Sequence, residues 1–270
     1  MFSLQWLAKV PIIAVLLFLA QTAQSPQVHN SWSLVQHVNV KCSSSPCSIA
    51  VDPIRPGHVG VIAIFNYEDE VTLSSISGAG TWVHPKECPA YARGSASTDL
   101  AYNLSTTGGT TLISVRISGT INDAYIEFLE YSFEASEASF DVCGSTAISG
   151  ALNPRGVSLA PAGTNDVIVQ IIASGSHASD ISSPYKDPAD FPGGYGIGGS
   201  INTTSGKAPT WTMSNSGYAE SESAIAITEG HLATAAAPEW TPSISTLILA
   251  GIFLVVAVVL VLWLIKRRKA

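Results

Sequence analysis

Basic residues are scarce in this chain, which has 13 Lys and Arg against 20 Asp and Glu among its 270 residues. Five of the 13 lie near the two ends, at Lys9 and at 266–269. The part between them has the other 8 together with all 20 acidic residues, which gives it a net charge of −12. Such a surface repels phosphate backbones and anionic lipid headgroups. We therefore expect no nucleic-acid partner.

Motifs of common enzymes are also missing. The chain has no Cys-x-x-Cys redox pair, no P-loop and no Gly-x-Ser-x-Gly turn for a nucleophile. Its histidines are scattered and lack the paired spacing of a zinc site, so we expect no metal and no cofactor. Gly194 to Gly199 fit the spacing Gly-x-Gly-x-x-Gly, but a dinucleotide site needs a strand before the motif and a helix after it. The flanking residues indicate neither, and the segment is predicted to be a glycine-rich loop.

The chain has four cysteines, at positions 42, 47, 88 and 143. All lie in the part expected to be exported, where disulfides persist. Four cysteines allow three pairings, and sequence alone does not choose between them. We favour Cys42–Cys47, which closes a tight loop between two strands, together with Cys88–Cys143.

Two apolar segments flank the acidic part. The first, within 1–24, is short and is followed by small and polar residues, which predicts a secretory signal peptide; an uncleaved anchor is the alternative. The second, 244–265, is uncharged and long enough, at about 1.5 Å per helical residue, to cross a ~30 Å hydrocarbon core. The basic tail 266–270 follows it and predicts a cytoplasmic C-terminus. Residues 25–229 are then extracellular, with 230–243 as a stalk.

The extracellular part consists of short β-prone segments between turns. Val59 to Phe65 is almost wholly apolar, as a strand buried on both faces requires, and Asp166 to Ala173 has the same pattern. Both follow a turn with proline and glycine, so they are candidates for equivalent strands of two related halves. Thr110 to Ser118 alternates between apolar and polar residues, which predicts a half-buried strand.

One segment has two interpretations. Acidic residues spaced by three and four within 125–141 favour one face of a helix. The aromatic and β-branched residues from Tyr125 to Tyr131 favour a strand, whose alternation shifts at Phe128–Leu129 as a bulge requires. We predict a strand from Ala124 to Phe133.

These segments predict an all-β fold, with residues 25–229 as a single large antiparallel β-sandwich. Two halves of immunoglobulin size are the alternative. The order of the segments from His58 to Val169, including Val71 to Trp82 and Gly108 to Ser118, resembles that of uncharacterised secreted prokaryotic β-sandwich domains of jelly-roll type. The resemblance implies a jelly-roll-like fold and brings no catalytic motif.

The C-terminal region has a resemblance of its own. Pro238-Glu239 before the apolar segment and the basic cluster after it are similar to the sorting tails that exosortases and archaeosortases read, although Trp240 stands where such tails usually have a second proline. The resemblance implies either a permanent single span or cleavage and re-anchoring.

The long loop within 183–199 is the predicted binding site. It combines aromatic and acidic side chains, which suit stacking on a sugar ring and hydrogen bonding to its hydroxyls, and long loops are often functional. The residues predicted to bind are Tyr185, Asp187, Asp190, Phe191 and Tyr195. Packing of the aromatic residues on the sandwich edge is the alternative, and for Trp82 and Trp211 we expect such packing.

The sequence thus predicts a single-pass protein of the cell membrane with an extracellular N-terminal domain. We expect that domain to be a non-enzymatic binding or adhesion module whose partner is an extracellular glycan or protein. A structural protein of the cell envelope without a specific ligand is the first alternative. A hydrolase of extracellular polysaccharide is the second.

Overall fold

A computed structural model describes residues 32–67, 69–92, 96–121, 124–148, 150–163, 165–186, 195–203 and 208–230. The predicted signal peptide, stalk, transmembrane helix and basic tail lie outside these residues, apart from Gly230 at the start of the stalk. In the described part of the chain, no helix is long and apolar enough to span a bilayer.

All regular structure in the described ranges is β. The strands are β1 (Ser33–Cys42), β2 (Cys47–Ala50), β3 (Val59–Tyr67), β4 (Val71–Ser77), β5 (Ala90–Ala92), β6 (Ala96–Asn103), β7 (Leu112–Gly119), β8 (Ala124–Ser132), β9 (Ala138–Ile148), β10 (Asp166–Ser174), β11 (Ala178–Ile181), β12 (Tyr195–Thr203), β13 (Trp211–Met213) and β14 (Glu220–Glu229). The all-β prediction is confirmed for these residues.

The strands form four antiparallel sheets stacked as layers. Sheet I has the order β2-β7-β4, sheet II has β1-β8-β3-β6-β5, sheet III has β12-β10-β14-β9, and sheet IV has β11-β13. Three apolar clusters separate them: one between sheets I and II, one between II and III, and one between III and IV. The arrangement therefore has two layers more than one two-sheet sandwich, although the described residues belong to one compact unit.

Burial on both faces explains the two apolar strands at the centre. In β3, Val61 faces sheet III and Ile62 faces sheet I. In β10, Val167 faces sheet II and Ile168 faces sheet IV. Because both faces are covered, each position favours an apolar residue. Burial of each aliphatic side chain stabilises the fold by roughly 1.5–3 kcal/mol. The predicted burial of both segments is confirmed.

The same topology occurs twice along the chain. In sheet II the order β1-β8-β3-β6 places the first and last strands of the N-terminal half side by side next to the central β3. In sheet III the order β9-β14-β10-β12 repeats this around β10. The small sheets also correspond, since β4 pairs with β7 and β11 pairs with β13. The suggestion that β3 and β10 are equivalent strands therefore agrees with their places in the two sheets.

Strand β8 extends from Ala124 to Ser132, so the strand interpretation of this segment is confirmed and the helix is excluded. The bulge expected at Phe128–Leu129 is wrong. Phe128 faces sheet I and Leu129 faces sheet III in unbroken alternation, because both faces of β8 are covered. The irregularity lies instead in the neighbouring β1, between Leu34 and Gln36.

Both favoured disulfides are present. Cys42–Cys47 joins β1 in sheet II to β2 in sheet I. Cys88–Cys143 joins the segment before β5 to β9, and so links sheet II to sheet III. Each bond therefore connects two different layers. The presence of two disulfides agrees with an oxidising extracellular environment.

Candidate functional site

A surface cavity of about 240 Å³ lies between strand β4 and the segment 82–84. Leu73, Ser74, Ser75 and Ile76 form one side, Trp82 and His84 form the other, and Ala101 of β6 also lines it. Strand β4 is the edge of sheet I, and Val83 pairs with Tyr102 of β6 in sheet II. The cavity is thus a groove between the edges of two layers.

The edge strand is irregular beside the cavity. The pairing of β4 with β7 shifts between Leu73 and Ser75, so Ser74 is the additional residue of a bulge. The Ser74 hydroxyl donates to the carbonyl of Arg116, at 2.9 Å. Bulges reorient side chains and are frequent next to binding sites. Here the bulge presents two consecutive serines to one cavity.

Trp82 forms a fixed aromatic wall. It follows a turn in which Gly78, Ala79 and Gly80 all have positive φ, and its indole Nε1 donates to the carbonyl of Gly78 at 2.8 Å. The ring meets Phe128 edge to face, with ring centroids 6.5 Å apart. Gly60 makes room for it, since a Cβ there would lie 2.9 Å from the indole. The indole is only partly buried, so it also borders the cavity.

His84 is oriented by a buried carboxylate. Its Nε2 lies 2.8 Å from Oδ1 of Asp99, a fully buried residue of β6. Asp99 also accepts from the backbone N–H of Leu73, at 2.8 Å, and of Leu100, at 2.7 Å. Because this carboxylate acts as the acceptor, Nε2 is the donor in this contact, and Nδ1 is the ring nitrogen that Asp99 does not engage. The side chain of His84 is 34% exposed and lines the cavity.

Two further pairs of a histidine with a buried carboxylate have a structural role. Glu130 accepts from His58 Nδ1 at 2.6 Å, from the backbone of Arg55 at 3.0 Å and from Gln36. It thereby ties the loop before β3 to β1. Glu127 contacts His37 and accepts from Asn39 at 2.6 Å, which joins β8 to β1. Both carboxylates are enclosed and hydrogen-bonded, so they stabilise sheet II.

Sheet III contains acidic side chains of a different kind. Glu222 is 1% exposed, and neither of its carboxyl oxygens has a hydrogen-bond partner in the described part of the chain. Burial, together with the smaller effect of the neighbouring Glu220, raises its pKa to about 9. Burial also raises the pKa of Asp166 to about 6, an effect that the Thr228 hydroxyl reduces. Glu222 is therefore protonated and uncharged at neutral pH.

The structure describes only part of the predicted loop site. Tyr185 is 4% exposed, packs in the cluster between sheets III and IV, and accepts a hydrogen bond from Gln170 Nε2 at 3.0 Å. Its ring therefore offers no open face to a sugar. Asp187, Asp190 and Phe191 lie outside the described residues, as does the side chain of Tyr195, whose backbone begins β12.

The expected glycine-rich loop is wrong for most of its length, because Tyr195–Thr203 forms β12. Glycines occur there because aromatic rings approach both faces of the strand. A Cβ at Gly196 would lie 2.9 Å from the ring of Trp211, and one at Gly199 would lie 3.0 Å from the Tyr131 hydroxyl. The packing predicted for Trp211 is confirmed by its 1% exposure.

Topology relates the predicted loop to the cavity. Lys186 pairs with Gly199 of β12 as Val83 pairs with Tyr102 of β6, so Tyr185 is the counterpart of Trp82 in the second half. One aromatic residue is buried and the other borders a cavity. Sequence analysis assigned Trp82 to packing and missed His84 and Asp99. The signal that could have found them is the alternation Trp82-Val83-His84, which begins two positions after a Gly-Ala-Gly turn.

No protein-family model matches the chain, and a search of the curated proteins finds no match. Within the described ranges, no group of three or more His, Cys, Asp or Glu side chains is arranged to hold a metal ion. The geometry of the cavity is therefore the basis for a functional proposal.

Proposed function

We propose that the protein is a single-pass cell-surface protein whose β domain is a non-enzymatic binding or adhesion module, and that an extracellular glycan binds at the cavity between Trp82 and His84. The observation on which this rests is the combination of a fixed aromatic wall with a histidine held by a buried carboxylate. Such preorganised side chains lose little conformational freedom when a ligand binds. Small-ligand sites typically combine an apolar wall with a few placed polar groups.

The proposed location rests on the sequence of the two ends and on the two disulfides. A signal peptide, a C-terminal span and a basic tail would place the layered β domain outside the membrane. The resemblance to secreted jelly-roll domains and to sorting tails supports the same proposal. A domain displayed in this way meets glycans and proteins of the cell surface.

A polysaccharide hydrolase is the second candidate, and one observation favours it: Ser74 and Ser75 line the same cavity as the His84–Asp99 pair. A nucleophile needs a hydrogen bond to its base. In the described part of the chain, no hydrogen bond joins His84 to either serine, and the Ser74 hydroxyl donates to the carbonyl of Arg116 instead. Binding is therefore the better-supported function. A structural envelope protein would need neither the wall nor the oriented histidine.

A glycan array tests the proposal. The full-length chain is purified in a detergent without a sugar headgroup and applied as wild type, Trp82→Ala, Phe191→Ala and the matched control Tyr218→Ala, a residue that is 44% exposed. Binding that falls at least tenfold only in Trp82→Ala supports the cavity. Loss only in Phe191→Ala would move the site to the loop 187–194, and an array without signal from a folded wild type would contradict glycan binding.

A further inference from the structure

The cavity limits how large its ligand can be. Its volume of about 240 Å³ is below the roughly 300–1,000 Å³ of pockets that enclose drug-sized molecules. It suits one six-membered ring with its substituents. A longer ligand would extend into solvent from this ring.

The edge of β4 beside the cavity is blocked to an added peptide strand. β-Strand addition requires free backbone N–H and C=O groups along an exposed edge. The N–H of Leu73 donates to Asp99 Oδ2 at 2.8 Å, and the N–H of Val71 donates to the Ser97 hydroxyl at 3.1 Å. Side chains of β6 therefore occupy two of the donors that a peptide would use, and the groove favours a compact ligand.

The polar groups of the lining determine which chemistry fits. The Ser74 oxygen accepts a hydrogen bond, because its own proton is directed to Arg116, and His84 lines the cavity with a ring whose Nε2 is engaged by Asp99. The described lining residues include no Lys, Arg, Asp or Glu. Hydroxyl groups suit these polar side chains because each hydroxyl can both donate and accept a hydrogen bond, and a lining without Lys, Arg, Asp or Glu suits a ligand that has no charge of its own.

Trp82 supplies the aromatic wall of the cavity. An indole face attracts the weakly polarised C–H groups on one face of a pyranose, while the hydroxyls at the ring edge remain free to donate. From the size, the blocked edge, the polar side chains and the wall, we propose that the cavity binds a single uncharged hexopyranose, the terminal unit of a glycan. This inference rests on the proposed function and gives it a substrate class.

A ligand of this size binds weakly. About 12 non-hydrogen atoms, at the efficiency of drug-like ligands, give a dissociation constant on the order of 1 mM. Display of many copies on one surface would convert such contacts into stable adhesion through avidity. The free sugar should therefore be tested at concentrations up to about 50 mM, roughly 50 times that constant.

The test follows the indole N–H signals of the six tryptophans by nitrogen-15 NMR, with the full-length chain in a phosphocholine detergent. Trp82→Phe assigns the signal of Trp82. Methyl hexopyranosides of several configurations are titrated in parallel with the corresponding uronides, which differ by one carboxylate. We expect the Trp82 signal to shift with at least one neutral hexoside and at least tenfold more weakly with its uronide.

Two variants examine the histidine. His84→Phe keeps a ring but removes its two nitrogens, and should weaken binding at least fivefold. His177→Phe is the matched control at an exposed position and should leave it unchanged. Unchanged signals of the other tryptophans show that each variant is folded.

Two results would overturn the inference: no shift of the Trp82 signal up to about 50 mM of any hexoside, or equal binding of hexoside and uronide. If glycan-array binding still depends on Trp82 in either case, the proposed function survives and only the substrate class is wrong. If array binding is absent as well, both fail.

Discussion

Cys88 and Cys143 link the two halves of the fold, because Cys88 precedes β5 at the edge of sheet II and Cys143 lies in β9 at the edge of sheet III. The two residues are 55 positions apart, whereas Cys42 and Cys47 are separated by 5. Loop-closure entropy then assigns about 4 kcal/mol to the longer link and about 2 kcal/mol to the shorter. We expect the double serine variant at 88 and 143 to lose about twice as much free energy of unfolding as the one at 42 and 47.

Urea unfolding of both variants, measured under non-oxidising conditions against the wild type, checks this order. A larger loss for the pair at 42 and 47 would show that local strain or packing, and not chain entropy, dominates the contribution of these bonds.

The buried carboxyl of Glu222 makes stability depend on pH. Its pKa is 4.5 when unperturbed and about 9 in the folded protein, so the folded state binds the proton more tightly than the unfolded state. The cost of this mismatch is absent below pH 4.5, grows with rising pH and levels off above about pH 9. At pH 7.5 it is at most about 4 kcal/mol, from three pH units at 1.36 kcal/mol each.

Glu222→Gln removes the ionisable group and keeps the shape. We expect its melting temperature to equal that of the wild type near pH 4 and to exceed it increasingly toward pH 9. The exposed Glu70→Gln serves as control and should show no such trend. A variant that is less stable than the wild type throughout this range would mean that the carboxyl has a partner that stabilises it.

Sequence reasoning found the strands whose pattern is set by local burial. Val59 to Phe65 and Asp166 to Ala173 were identified because a strand covered on both faces must be apolar throughout. Four layers were not foreseen, since a pattern records that a residue is buried but not which sheet covers it. The same limit explains the wrong prediction in β8. Phe128 and Leu129 are both apolar because both faces of the strand are buried, and the pattern was interpreted as the frame shift of a bulge.

The cavity was harder to predict than the fold. His84 and Asp99 are 15 residues apart and meet only because the segment 82–84 returns alongside β6. Tyr185 was predicted to stack on a sugar ring, and it is Trp82, in the other half, that borders a cavity. Only the pairing of each loop with its sheet reveals that the two aromatic residues are counterparts, and that one of them is enclosed.

Close packing of glycine against tryptophan gives a third prediction. A methyl group at Gly196 would lie 2.9 Å from the ring of Trp211 and 3.0 Å from the Ala178 Cβ. Gly196→Ala should therefore lower the free energy of unfolding by about 1–3 kcal/mol through overpacking. Gly57→Asn is the control, because the site is open and its φ of 80° is one that asparagine tolerates. Chemical denaturation that finds equal losses for both variants would contradict the packing argument.

The last prediction concerns Tyr185. If this residue bound a sugar, as the sequence predicts, its substitution would weaken glycan binding, whereas its buried position predicts a loss of stability instead. Its hydroxyl accepts from Gln170, whose amide also donates to the carbonyl of Val157 at 2.8 Å. Tyr185→Phe should cost about 1 kcal/mol of the free energy of unfolding, the net value of one hydrogen bond, while Tyr185→Ala should cost about 3–5 kcal/mol because it leaves a cavity in the cluster between sheets III and IV. Glycan binding by the folded fraction should be unchanged in both, since the ring is enclosed. Calorimetric unfolding together with array binding measures the two effects separately. Weaker binding in Tyr185→Phe, at unchanged stability, would show that the hydroxyl reaches a ligand after all.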